Sequence, residues 1–311
     1  MTAKILAIGG YTPGTTIRAA DRAETLGFDT ATLASKIGTD TLPVMADDTD
    51  TSDLAVGALQ NLFDTSDLSL ADVDGVILCT QNPDGAGLPH TSAIVHGKLG
   101  LPTQCMCFDI SLGCSGYVHG LAVARGLMDS YGLKNVVLVT ADPYSKVVDI
   151  TDAHTSLIFG DGATATWIAV TQDAGWIIGA MKYLTNGAGG QHLMVQPNGK
   201  LHMNGREVFF FAAKVVPDQV NGLLQDQNIT ADDVDLFLFH QGSKYILETI
   251  TKKLRLTAAK VPSNIDQVGN LVSSSIPMLL KAHLEVSGPE KIVLSGFGVG
   301  LSAASMILDR A

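Results

Sequence analysis

The sequence predicts an α/β protein built from two duplicated halves with mainly parallel sheets. Three observations carry that expectation. The first is a repeat whose parts keep their order. Segments 3–8 (AKILAI) and 175–180 (GWIIGA) each open with a strand pattern, and 70–79 (LADVDGVILC) and 230–240 (TADDVDLFLFH) each run from an acidic turn into a buried strand. Segments 134–139 and 291–295 correspond, and 159–165 (FGDGATA) against 297–303 (FGVGLSA) is the clearest pair. The second is alternation: apolar runs follow helical patterns, the arrangement of a parallel sheet covered on both faces. The third is composition. With 311 residues, 46% hydrophobic and 16% charged, the chain can bury a sizeable core and carries too little charge for disorder. Two copies at so long a period describe a duplicated unit and not a solenoid. They divide the chain into 1–172 and 173–311.

Taken in order, residues 39–52 are polar and acidic and read as a surface loop before a helix over 53–63. Residues 81–90 (QNPDGAGLPH) form a turn-rich loop of a length often tied to function. The apolar run 105–110 predicts a strand and 117–128 a helix. Residues 186–205, rich in Gly and Asn, suggest hairpins or a flap. Phe209, Phe210 and Phe211 head a helix that reaches Lys214 and Val215, an aromatic run expected in the core or at a subunit interface. Residues 292–308 read as strand–loop–strand.

Several classes are excluded. A net charge of −11 argues against a nucleic-acid surface. Cys79, Cys105, Cys107 and Cys114 form no paired CxxC units, so neither zinc nor a disulfide framework is indicated. The apolar run near the start is too short for a signal peptide, and no stretch reads as a membrane span. A reducing, cytoplasmic setting is the default.

Cys114 falls on the tight turn between the expected strand and helix. Unpaired N–H groups and the helix dipole favour a negative charge there. A thiol so placed is expected to have its pKa drawn down from about 8.5 toward roughly 3.5–7.5. The competing reading is a small buried Cys packed under the helix. A nucleophile needs a base or positive neighbour and a polarising pocket. His240 ends a buried strand before the small residues Gly242 and Ser243, so its ring can face a cavity; the alternative is a hydrogen-bonded core histidine. Asn270 reads either as an N-cap or as a neutral donor to a developing enolate. The Gly298-Val299-Gly300 turn offers backbone N–H groups that, with the Cys114 N–H, suit an oxyanion. A dinucleotide turn at GFGVG is rejected, because too little chain follows for a βαβ unit.

These segments together resemble the β-ketoacyl-acyl-carrier-protein synthase III family: DISLGCSGY at 109–117, FGDG at 159–162, NGREVF at 204–209, His240-Gln241, Gly269-Asn270 with SSIP at 274–277, and GFGVG at 296–300. The resemblance runs along nearly the whole chain. It implies a thiolase-like fold in an αβαβα layering and a two-step Claisen condensation. An acyl thioester, usually acyl-CoA, would acylate Cys114, with the Cys114 and Val299 amides holding the oxyanion. A malonyl thioester would then lose CO2, and His240 and Asn270 would stabilise the enolate that attacks the acyl-Cys. Phe297 resembles the family's aromatic residue beside the nucleophile. Loop 81–90, with Leu88, resembles the loop that crosses a dimer interface and closes the partner's acyl tunnel. A homodimer is thus implied, with no metal or cofactor beyond CoA or carrier-protein thioesters as substrates. An acyl carrier protein is the expected partner, with Lys214, Lys244, Lys252, Lys253 and Arg255 as its expected dock.

The chain also departs from the family pattern. Residues 37–43 lack the arginine of a TGIxxR-type stretch, Ala153 or His154 stands where a second nucleotide-contacting arginine is usual, and HQAN has become His240-Gln241-Gly242-Ser243. The tryptophan after the glycine turn is absent. These changes point to a donor or acceptor other than the acetyl-CoA and malonyl-carrier pair. Acyl transfer to an oxygen or nitrogen nucleophile, and a non-catalytic partner subunit, are the competing functions.

Overall fold

A computed structural model describes residues 2–284 and 288–311. Nine strands carry the fold: β1 (Thr2–Tyr11), β2 (Gly75–Cys79), β3 (Met106–Ile110), β4 (Asn135–Ala141), β5 (Ala163–Thr171), β6 (Trp176–Thr185), β7 (Leu236–Phe239), β8 (Lys291–Gly298) and β9 (Ser302–Arg310). The larger helices are α1 (Thr51–Thr65), α2 (Thr91–Leu99), α3 (Gly116–Tyr131), α4 (Gly205–Asp226), α5 (Lys244–Lys253) and α6 (Ser275–Lys281). The strands are hydrogen-bonded in the order β7-β8-β9-β6-β1-β5-β4-β2-β3. Read outward from the β1–β6 contact, the N-terminal strands run β1-β5-β4-β2-β3 and the C-terminal strands run β6-β9-β8-β7.

The sheet is mixed, which corrects the expectation of mainly parallel pairing. Parallel ladders lie only toward its two ends, β2 with β3 and β4, and β7 with β8. The ladders between are antiparallel. The connections explain this. Only residues 299–301 link β8 to β9, and a turn that short can join only antiparallel strands.

Helices occupy three layers. α1 lies on β1, β4 and β5 and packs with α2; its start is fixed by a capping box between Asp50 and Asp53. α4 lies on β6, β8 and β9 and packs against α5. Between the halves sit α3 and α6, each touching strands of both: α3 meets β2 and β4 as well as β8 and β9, and α6 meets β1 and β5 as well as β7 and β8. On α3 the fully buried Tyr117, Leu121 and Ala124 and the buried Met128 recur every three to four residues, so one stripe faces inward all along the helix. A single leucine so buried contributes about 1.5–3 kcal/mol. The middle layer therefore fixes where the starts of α3 and α6 point.

Two local expectations change. The segment 39–52 is not wholly a surface loop, since Thr41–Pro43 pairs with Thr16–Arg18 and Leu42 is fully buried. The phenylalanine run does not head its helix, which begins at Gly205 with the Asn204 side chain accepting from the Glu207 N–H. Helical spacing then splits the run: Phe211 is buried and Phe210 exposed. Segment 186–205 does carry a hairpin, Leu193–Val195 against Leu201–Met203. No helix among the described residues is long and apolar enough to cross a membrane.

Candidate active site

Cys114 follows β3 by a short loop and stands one residue before Ser115, the cap of α3. Ser115 Oγ lies 2.7 Å from Ser302 Oγ, which joins the helix start to the first residue of β9. The β8–β9 turn closes over the sulfur. Gly298 has φ 155°, and a Cβ there would lie 2.7 Å from Cys114 Sγ, so only glycine admits the thiol. The Val299 N–H favours the anionic form of the sulfur. Both backbone groups expected to hold an oxyanion, those of Cys114 and Val299, thus already bear on the thiol.

The acidified thiol expected from the sequence is not what the structure builds. Burial pushes the Cys114 thiol up to about 12, against the Val299 N–H, and the nearby Asp142 carboxylate adds to the rise. Magnitudes decide this. A helix start favours an anion by ~0.3–1 kcal/mol, about 2 at most, whereas burying an ion costs several kcal/mol. Cys114 is only 5% exposed.

His240 continues β7, its N–H bonding the Ser295 carbonyl at 2.9 Å. The ring meets Phe297 edge-on, with centroids 5.4 Å apart. Burial drives its pKa down to about 3 against the upward pull of the Val272 backbone, so the ring is neutral at pH 7. Nδ1 is buried and has no hydrogen-bond partner among the described residues. Asn270 reaches across to the other half, where its N–H bonds the Ile158 carbonyl and its carbonyl accepts from Gly160. Its Oδ1 accepts from the Val272 N–H at 2.8 Å. A backbone N–H must meet the oxygen of an amide, so the Asn270 NH2 is left to donate elsewhere.

Cys114, His240, Asn270 and Phe297 line one cavity of ≈ 370 Å³, whose walls include Tyr144 and Phe159. A larger groove of ≈ 1060 Å³ between the end of β6 and α4 contains none of the three reactive side chains.

The other expected residues divide. Leu88 does not line this cavity; it stands 92% exposed on loop 81–90. The expectation sets it against a second copy's cavity, and in this chain its loop is held by the Asp84 carboxylate, which accepts from the Ser52 N–H and Oγ. Of the expected dock, Lys244 and Lys252 share a shallow depression. Lys253 donates to the Ala213 carbonyl, Lys214 lies on the wall of the larger groove, and Arg255 is exposed nearby in sequence. The sequence reading missed Lys36 and Arg206, both of which line the cavity. Lys36 Nζ sits 3.8 Å over the Tyr245 ring. The signal was present: Lys36 adjoins the stretch searched for arginine, and Arg206 lies inside the NGREVF segment. No group of three or more metal-ligating side chains is assembled among the described residues.

A thiolase-like layered fold with a buried cysteine, a neutral histidine and an amide around one apolar cavity defines a condensing acyltransferase. Comparison with known proteins makes the class specific. The family model for 3-oxoacyl-[acyl-carrier-protein (ACP)] synthase III matches residues 108–187, and the model for its C-terminal part matches 224–310. The β-ketoacyl-[acyl-carrier-protein] synthase III of Lactobacillus helveticus is 35% identical, covering 83% of this chain and 84% of the relative. That of Lactococcus lactis is 30% identical over 99% of both. Among solved structures, a crystal structure of 3-oxoacyl-(acyl-carrier-protein) synthase III superposes with TM-score 0.93 at 30% identity, covering 99% of this chain and 100% of that one. The Thermus thermophilus enzyme gives TM-score 0.90 at 31% identity, with 98% of each chain covered. The chain belongs to the β-ketoacyl-acyl-carrier-protein synthase III family, acyltransferases that catalyse a Claisen condensation in fatty-acid biosynthesis.

Proposed function

We propose that Cys114 carries the acyl group and that His240 and Asn270 serve the decarboxylation that follows. The observation that carries this reading is that all three side chains open onto one cavity, with the Asn270 oxygen held by the Val272 N–H so that its NH2 is free to donate. In the first step the sulfur attacks an acyl thioester. Its proton passes to the departing thiol, and the Cys114 and Val299 N–H groups hold the tetrahedral oxyanion. In the second, a malonyl thioester binds with its thioester oxygen toward the Asn270 amide and the His240 imidazole. Loss of CO2 leaves an enolate, and negative charge develops where two neutral donors wait in a dry site. The enolate carbon attacks the acyl-Cys, and the sulfur leaves and is reprotonated. With His240 neutral, no charge has to be neutralised before the enolate forms. The steps call on no cofactor beyond the thioesters.

We read 1–172 and 173–311 as the two copies, one bringing the nucleophile and the other the donors. The donor handle is an acyl-CoA in this reading, and the acceptor rides on an acyl carrier protein. Lys36 and Arg206 are the cations best placed to meet the phosphate of a pantetheine arm, with Lys244 and Lys252 nearest the face an acidic carrier would cover. Ala153 or His154 stands in place of the usual nucleotide-contacting arginine, so the nucleotide end of CoA is held less firmly and other starters are admitted. A homodimer would give Leu88 its place, as a wall of the second copy's cavity. Four free cysteines suit the reducing cytoplasm.

Intact-protein mass spectrometry with a panel of acyl-CoAs tests the first step. An adduct that maps to Cys114 and is lost in Cys114→Ala is expected. An adduct elsewhere, or none with any acyl group, overturns the assignment. CO2 release from a malonyl thioester tests the second step. Acyl transfer to an alcohol or amine with no CO2, unaffected by Asn270→Ala, would favour the non-decarboxylative function.

A further inference from the structure

Asp142, the residue after β4, is a fully buried carboxylate that the steps above do not use. Its partners are uncharged. Oδ1 accepts from the Gln81 N–H at 2.6 Å and from Thr80 Oγ1 at 3.3 Å, and Oδ2 accepts from Ser273 Oγ at 2.6 Å. No cation pairs with it among the described residues. A buried carboxylate without a cation is costly to keep. It does not activate the thiol either, because its charge opposes ionisation of Cys114.

What Asp142 holds is the turn between Asn270 and α6. Val272 in that turn has φ 52°. A β-branched residue in the left-handed region is a true outlier, kept only where its surroundings over-determine it. This strained residue is also the one whose N–H holds Asn270 Oδ1 at 2.8 Å, and its backbone pulls the His240 pKa upward against burial. The residues after it are pinned in turn. Ser273 is held by Asp142, and Ser274 Oγ bonds Thr140 Oγ1 at 2.8 Å and the Thr140 carbonyl at 3.1 Å. Ser275 Oγ accepts from the Leu271 N–H. Asp142 differs from the other anchors in joining this turn of the second half to Thr80 and Gln81, which follow β2 of the first.

Building on the catalytic reading above, we propose that Asp142 is a positioning residue. Through Ser273 it clamps Val272 in its left-handed conformation, and the Val272 N–H in turn aims the Asn270 amide at the malonyl thioester beside His240. Asp142 touches no substrate. The clamp serves decarboxylation and leaves acylation of Cys114 alone.

The test separates the half-reactions in Ser273→Ala and Asp142→Asn. Acylation is followed by mass spectrometry of the Cys114 adduct with acyl-CoA, and decarboxylation by CO2 from a malonyl thioester. Acylation within about twofold of the parent is expected in Ser273→Ala, and at least as fast in Asp142→Asn because the charge opposing the thiolate is gone, with CO2 release reduced about tenfold or more in both. Adding Val272→Gly should recover much of that loss in Ser273→Ala, because glycine enters φ near +52° without the strain a valine must be clamped against. Ser273→Ala keeps the question answerable if Asp142→Asn does not fold. Equal losses in both half-reactions, no loss, or no recovery with glycine overturns the clamp. Failure of the parent protein itself to release CO2 would instead overturn the catalytic reading, and the clamp with it.

Discussion

The two halves share one strand order and part company at one place. Between α2 and α3 the N-terminal half has β3, and the nucleophile follows it. Between α5 and α6 the C-terminal half has no such strand among the described residues. It has short helical turns and a single bridge from Asn270 to Phe159 of the other half. The ends of β2 and β7 differ in the same sense. Cys79 is buried with its thiol on the Leu112 carbonyl, a packing role, while His240 lines the cavity. In the proposed reading, one half holds the covalent intermediate and the other presents neutral donors. Without an edge strand, the second half has a turn free to reach across the molecule.

The sharpest way to break the comparison is to remove a reactive group from each half. Cys114→Ala should abolish the acyl adduct and lower condensation by at least about 10³-fold, measured as product per minute. His240→Ala and Asn270→Ala should each lower CO2 release about 10²–10³-fold while the Cys114 adduct still forms. Loss of the adduct in either variant would mean that the halves do not divide the labour as described.

Burial supplies two pH predictions of smaller size. With the Cys114 thiol near 12, its alkylation by iodoacetamide should climb about tenfold per pH unit from 7 to 10. A plateau above pH 8 would restore the acidified thiol. Asp142 is pushed by burial from 3.8 to about 7. The folded state therefore keeps a proton that the unfolded chain gives up. The stability this contributes is full below about pH 4 and is lost as pH rises through 7, ~4 kcal/mol in all. His240, buried neutral, opposes this at low pH, so the readout is the difference between two proteins: from pH 4 to pH 8, urea titrations should show Asp142→Asn gaining ~4 kcal/mol relative to the parent. The smallest effect belongs to the cavity mouth, where Lys36→Ala and Arg206→Ala should raise KM for the thioester roughly three- to tenfold and leave kcat nearly unchanged.

Much of this was legible because the signals are local. The repeat, the strand-to-helix turn at Cys114 and the strand ending in His240 are each written in a dozen residues. Asn270 was legible through the family resemblance at Gly269-Asn270, although its reach to Ile158 was not. The sign of the Cys114 shift escaped because burial is a sum over the β8–β9 turn and the middle layer, neither visible at DISLGCSGY. The antiparallel middle of the sheet escaped because apolar runs do not record direction. Leu88 was placed by analogy with a second chain, and a single chain leaves it in solvent. Asp142 and Ser273 lie 131 residues apart, and neither has a context that names the other.

The most direct test loads Cys114 with one acyl group, removes free acyl-CoA and adds a malonyl thioester. CO2 and loss of the adduct are counted together. One CO2 for each adduct consumed, with the acyl group recovered in a β-ketoacyl product, is the expected result. Adduct that persists, or that leaves as free acid without CO2, would contradict the division of work between the two halves.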